Sequence, residues 1–148
     1  MATPNPKTLT SANVVFLLTV TGLYSSPQQI QGFASDRAFF FEDVDNAETF
    51  IGVDGIMSAG WIPRMYEQTI DLQANSSSIV IFETWGQAQD AQTELYNAAA
   101  TITYPGIGRS YSLSNGVLKG YVPMPEAAKT LRPRTFRITW NTITPAAQ

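Results

Sequence analysis

Apolar and polar positions alternate in twos along much of this chain, the mark of strands, and a helical spacing appears once. From Arg134 to Thr142 the alternation is clean: Phe136, Ile138 and Trp140 face one way, Thr135, Arg137 and Thr139 the other. Thr69 to Ala74 repeats it, with Ile70, Leu72 and Ala74 opposite Thr69, Asp71 and Gln73. Asn13 to Thr21 is β-branched and apolar without a break, which suits a strand covered on both faces. Ile30 to Glu42 is a further extended segment. Its Phe39, Phe40 and Phe41 put rings on both faces, because successive side chains point opposite ways. Thr49 to Ile62 reads as a strand interrupted by Gly52, Gly55 and Gly60, with Asp54-Gly55 as an alternative tight hairpin turn.

Asn75 to Ser78 offers side chains that can cap a helix, and Ile81, Trp85, Ala88 and Leu95 then fall on one helical face. The predicted helix runs from about 77 to 92, with Ile81 and Trp85 as its core contacts. Asn115-Gly116 predicts a two-residue type I′ turn, since both residues tolerate positive φ. Such a turn pairs Ser114 with Val117 and Leu113 with Leu118. Pro123 to Glu126 breaks the following strand. Residues 1–11 read as an irregular arm and 143–148 as a frayed end of one domain covering 1–148. The sum is a mainly β chain, a β-sandwich or small β-barrel with one flanking helix.

A chain of 148 residues can bury a core without disulfides. Only 14% of it is charged, against roughly 25% in ordinary soluble chains, which points to surfaces that meet other protein. With no Cys and no His, thiolate, imidazole and Cys/His zinc chemistry are excluded. No P-loop, nucleophile elbow or dinucleotide fingerprint is present, so neither an enzyme nor a cofactor is expected. The net charge of −3 argues against a strongly basic nucleic-acid-binding domain. The longest apolar run, Val14 to Val20, is too short to span a bilayer and no cleavage site follows it, so no anchor or secretion signal is expected.

Three groups carry candidate chemistry. Glu42, Asp43, Asp45 and Glu48 could hold a cation, but they lack the spacing of a calcium loop and read more simply as a solvated hairpin tip. Arg132, Arg134 and Arg137 form the basic cluster, with Arg134 and Arg137 on opposite strand faces. Pairing of Asp43 and Asp45 with Arg132 or Arg134 of another copy, with Phe39, Phe40 or Phe41 in the same contact, is the expected subunit interface. Trp61, Trp85 and Trp140 would serve a glycan-stacking platform in a carbohydrate- or ligand-binding module; core and interface packing is the plainer use.

Four segments in order carry a resemblance: Gly52-Val53-Asp54-Gly55, Thr69 to Ser76, Ser114 to Leu118, and Lys129 to Trp140. Together they resemble the tail tube proteins of contractile-tailed bacteriophages, over most of the chain from about Phe39 onward. The resemblance implies six copies joined in a ring, with rings stacked into a hollow tube in the virion after assembly in the host cytoplasm. Sheath, baseplate and tape-measure proteins would be its partners, and double-stranded DNA would pass through the lumen without specific binding. A tail terminator or a secretion-tube subunit is a neighbouring alternative.

Overall fold

The computed structural model describes residues 14–35 and 37–147; the arm expected over 1–11 lies outside the described residues. Two antiparallel layers enclose one core. The first runs in the order β2 (Tyr24–Gln29), β1 (Val15–Val20), β7 (Ala98–Tyr104), β8 (Arg109–Tyr121), β10 (Thr142–Ala147). The second runs β8, β9 (Arg134–Trp140), β6 (Tyr66–Leu72), β3 (Phe39–Phe41). The sheet does not close into a barrel. A separate ribbon, β4 (Ala47–Ile51) with β5 (Met57–Trp61), pairs only with itself.

The thirteen-residue β8 belongs to both layers, and this corrects the hairpin expected at Asn115-Gly116. Its first half pairs with β7 and β10, from Arg109↔Ala147 to Ser114↔Thr142. Its second half pairs with β9, as in Val117↔Thr139. Asn115 does take a positive φ of 53°, but there the strand bends from one layer into the other and does not reverse. Gly116 is required for a different reason from the one its position suggested. A Cβ there would collide with the ring of Trp140, which lies beneath the bend. Only Asn115 takes the positive φ expected of both residues, and tertiary packing uses it for a bend.

The predicted alternations account for the core. Phe16, Leu18 and Val20 from β1, Ile70 and Leu72 from β6, and Phe136, Ile138 and Trp140 from β9 are all fully buried. Trp140 donates its indole N–H to Gln68 Oε1 at 2.9 Å, so a buried polar pair sits within the apolar layer. The outer face of β1 is only half covered within one chain, not sealed as expected.

The helix α1 (Ile79–Gln92) lies against the second layer. Phe82 stacks on Phe136 at 4.6 Å between ring centroids, and Trp85 is completely buried with its N–H on the Tyr96 carbonyl at 3.2 Å. Ser78 does not cap the helix. Its hydroxyl instead accepts from the Gln31 backbone N–H at 2.8 Å, tying the helix start to the loop after β2. Leu95 lies beyond the helix and is exposed.

Two strands depart from expectation. β2 is polar and holds Pro27, and such a sequence is tolerated because the strand is an edge. β10 occupies residues expected to fray. It continues β9 past Asn141 and turns Ile143 inward opposite Leu113, so burial and a full ladder hold it.

Candidate assembly interface

Every residue of the β4–β5 ribbon is exposed. Its turn is built by Asp54-Gly55: Gly55 has φ +84°, its N–H reaches the Gly52 carbonyl at 2.9 Å, and Asp54 Oδ1 accepts from Ile56 N–H at 3.1 Å. The register pairs Ala47 with Trp61, Thr49 with Ala59 and Ile51 with Met57. Cross-strand partners share a face, so Trp61, Ile51, Met57, Ala47 and Ala59 form one apolar side. An isolated two-stranded ribbon is marginal in water. Among the described residues, nothing covers either face of this one.

Six of the thirteen exposed large apolar side chains among the described residues fall between Phe50 and Trp61. Ile51, Met57 and Trp61 share one side, Phe50 lies on the other and Val53 and Ile56 are in the turn; apolar exposure concentrated in this way marks interaction surfaces. The exposed aromatics expected between residues 39 and 62 are therefore concentrated in β4 and β5. Of the phenylalanine triplet, Phe39 is half-buried and packs against the core, on Phe16 at 5.4 Å and on Phe33 at 5.6 Å. Phe40 points outward beneath the guanidinium of Arg37, 4.3 Å from its ring centroid. Phe41 faces inward at the flank of the sandwich.

At that flank, between the edges β3 and β10, lies a gap of about 160 Å³ lined by Phe41, Ile102, Tyr104, Tyr111, Leu113 and Ile143. Burial pushes the Tyr104 phenol above its ordinary pKa, and neighbouring Tyr111 adds to the shift. With β8 counted only over the half that pairs in the first layer, residues 109–116, Arg109 is the one charged residue of that layer's strands, and its cross-strand partner is Tyr104. It therefore stands at the mouth of the gap.

The predicted charge pairing is only half available. Asp43 and Asp45 are exposed, but they lie in the connection from β3 to β4 and not at the hairpin tip expected there, because β3 pairs with β6 and β4 with β5. Arg132 is exposed too, 3.9 Å from Glu126. Arg134 is not: its side chain is 3% exposed and donates to the carbonyls of Val122 and Pro123 and to Glu83 Oε1 at 3.1 Å. It clamps the chain after β8 to the helix, because β9 turns it inward beside Phe136. The Arg134 contact with another copy is thus corrected to an internal one. Arg137 lies on the outer face with Glu67 and Lys119. Lys119, donating to Glu67 at 2.9 Å, holds that carboxyl below its ordinary value.

The glycan platform is not assembled, since Trp85 and Trp140 are fully buried and Trp61 alone is exposed. Among the described residues no group of three or more Asp or Glu converges as a metal site, and no helix is long and apolar enough to cross a membrane.

Solved structures share this architecture over nearly the whole chain. A chain of the anti-feeding prophage baseplate matches with TM-score 0.60 and 10% identity, covering 99% of this chain and 98% of its own. One from the sheath-tube complex of the PVC extracellular contractile injection system, in its extended state, matches with 0.57 and 14%, covering 90% and 88%. One from the tube-terminating cap of the anti-feeding prophage matches with 0.57 and 11%, covering 100% and 93%. No curated protein matches the sequence. These likenesses show the fold, an open β-sandwich with a flanking helix, and the class of protein comes from the family. The family model described as tail fiber protein gp32 matches residues 7–144, and the chain belongs to that family.

Proposed function

We propose that this chain is the subunit of a tail tube: six copies form a ring, and rings stack into the conduit through which genome DNA leaves the particle. The observation that carries the reading is the β4–β5 ribbon, whose apolar side has no cover among the described residues. Burying that side needs a neighbour, and a head-to-tail contact between identical copies closes into rings when its rotation allows. The outer face of the first layer supports a bore. Thr19, Thr101, Ser112 and Thr144 share it, and with β8 taken over residues 109–116 only Arg109 among the layer's strands bears a charge. DNA meets no fixed cation along such a wall and slides without being held. Sheath, baseplate and tape-measure proteins are the partners that go with this role, in a virion assembled in the host cytoplasm.

The family's own description favours a second reading, a fibre subunit. Negative-stain electron microscopy of the purified protein, with its mass in solution, separates the two. Hollow annular rings or tubes support the conduit, whereas slender solid rods support the fibre. A strictly monomeric species at every concentration removes both.

A further inference from the structure

We infer that the apolar side of the β4–β5 ribbon, led by Trp61, seats in the flank gap of a neighbouring copy. The inference rests on the self-assembly proposed above and names the two surfaces that would meet. Size agrees first: the gap measures about 160 Å³, and an apolar cavity of roughly 150 Å³ is enough to take up an aromatic ring. Its walls are apolar and aromatic, and Trp61 is 71% exposed at the base of the ribbon with Ala47 opposite it.

Charge agrees next. From Glu42 to Trp61 the chain holds Glu42, Asp43, Asp45, Glu48 and Asp54 and no Lys or Arg. The whole chain has twelve acidic and nine basic residues, so the rest keeps seven acids against nine bases, a net of +2. An arm of charge −5 is thus carried by a body of opposite sign, and the cation at the mouth of the gap is Arg109, which has no ion pair among the described residues. Complementary potentials of this kind steer encounter and fix register. The free edges of the first layer are poor competitors as contacts. Pro27 in β2 and Pro145 in β10 each remove a backbone donor, which blunts strand-to-strand addition.

The chain has no cysteine, so introduced thiols report without background. Ala47→Cys places a thiol beside Trp61, and Ala147→Cys places one opposite Arg109 at the gap; both positions are small and exposed. The two variants, mixed under assembling conditions and treated with a short bis-maleimide, should give covalent dimers that neither gives alone. In the parent, Trp61 is the exposed tryptophan, and its emission should shift to the blue and lose most of its acrylamide quenching on assembly. Ile143→Trp, which fills the gap from within, should abolish assembly as Trp61→Ser does, with circular dichroism and monomer melting kept. Assembled particles with no mixed cross-link would overturn the inference and leave the tube reading standing. A parent that never assembles overturns that reading, and the inference with it. Should Ile143→Trp fail to fold, the cross-link alone decides.

Discussion

Arg132 and Arg134 stand two positions apart and have opposite fates. Arg134→Ala leaves the Val122 and Pro123 carbonyls without their donor in a buried setting. The expected cost is about 3 kcal/mol in urea melts, at the low end for breaking a buried ionic contact because Glu83 is partly solvated. Arg132→Ala, exposed and loosely paired, should stay within about 0.5 kcal/mol. Trp85→Ala removes a fully buried ring together with its bond to the Tyr96 carbonyl. A loss of about 3–5 kcal/mol is expected, and a variant as stable as the parent would show that the helix contributes little to the core. Gly116→Ala drives a methyl group into the Trp140 ring at the bend of β8. Both are buried and backbone-fixed, so about 1–3 kcal/mol should be lost, while Asn115→Gly should be tolerated.

Elements were legible in the sequence where one face of a strand is buried, because burial enforces a period of two. The alternation of β6 and β9 reads off residues 69–74 and 134–142, although β6 begins earlier, at Tyr66, and ends at Leu72; Ile70, Leu72, Phe136, Ile138 and Trp140 are core. β2 and β10 were not legible, because edge strands bury little and tolerate Pro27 and Pro145. The bend at Asn115 was misread since positive φ serves a reversal and a change of layer equally, and only the distant Trp140 tells them apart. Of the candidate site, the acidic run and the aromatic surplus between 39 and 62 were visible, but not that the run connects β3 to β4 and forms no hairpin tip. The partition between a half-buried Phe39 and an exposed Trp61 was not, as it depends on β3 joining β6. Because β4 and β5 pair only with each other, replacing residues 47–61 by a short Gly-Ser linker should leave the monomer's melting temperature nearly unchanged. The same variant should form no rings or tubes in negative stain. A large drop in melting temperature would mean that the ribbon supports its own subunit.

For the whole molecule, stability should respond to pH at both extremes. Glu67 titrates below its ordinary value, so its contribution is complete above the unfolded carboxyl pKa and is lost as pH falls through the folded one. The pair with Lys119 is solvent-exposed, so Glu67→Gln should flatten the acid limb by no more than about 1 kcal/mol. Tyr104 titrates above its ordinary 10.0, so stability is full below that pH and declines above it; Tyr104→Phe should lessen the alkaline loss in melts taken across that range. The passage of β8 through both layers has a mechanical consequence. Two sheets stacked only through side chains can shear past one another under load. Here β8 and the run from β9 into β10 cross the seam as a hydrogen-bonded pair of rails, so sliding would have to break backbone bonds. Under tension such a subunit should fail as a single block, and a pulling experiment should record one rupture event per subunit, with no earlier yielding of either layer.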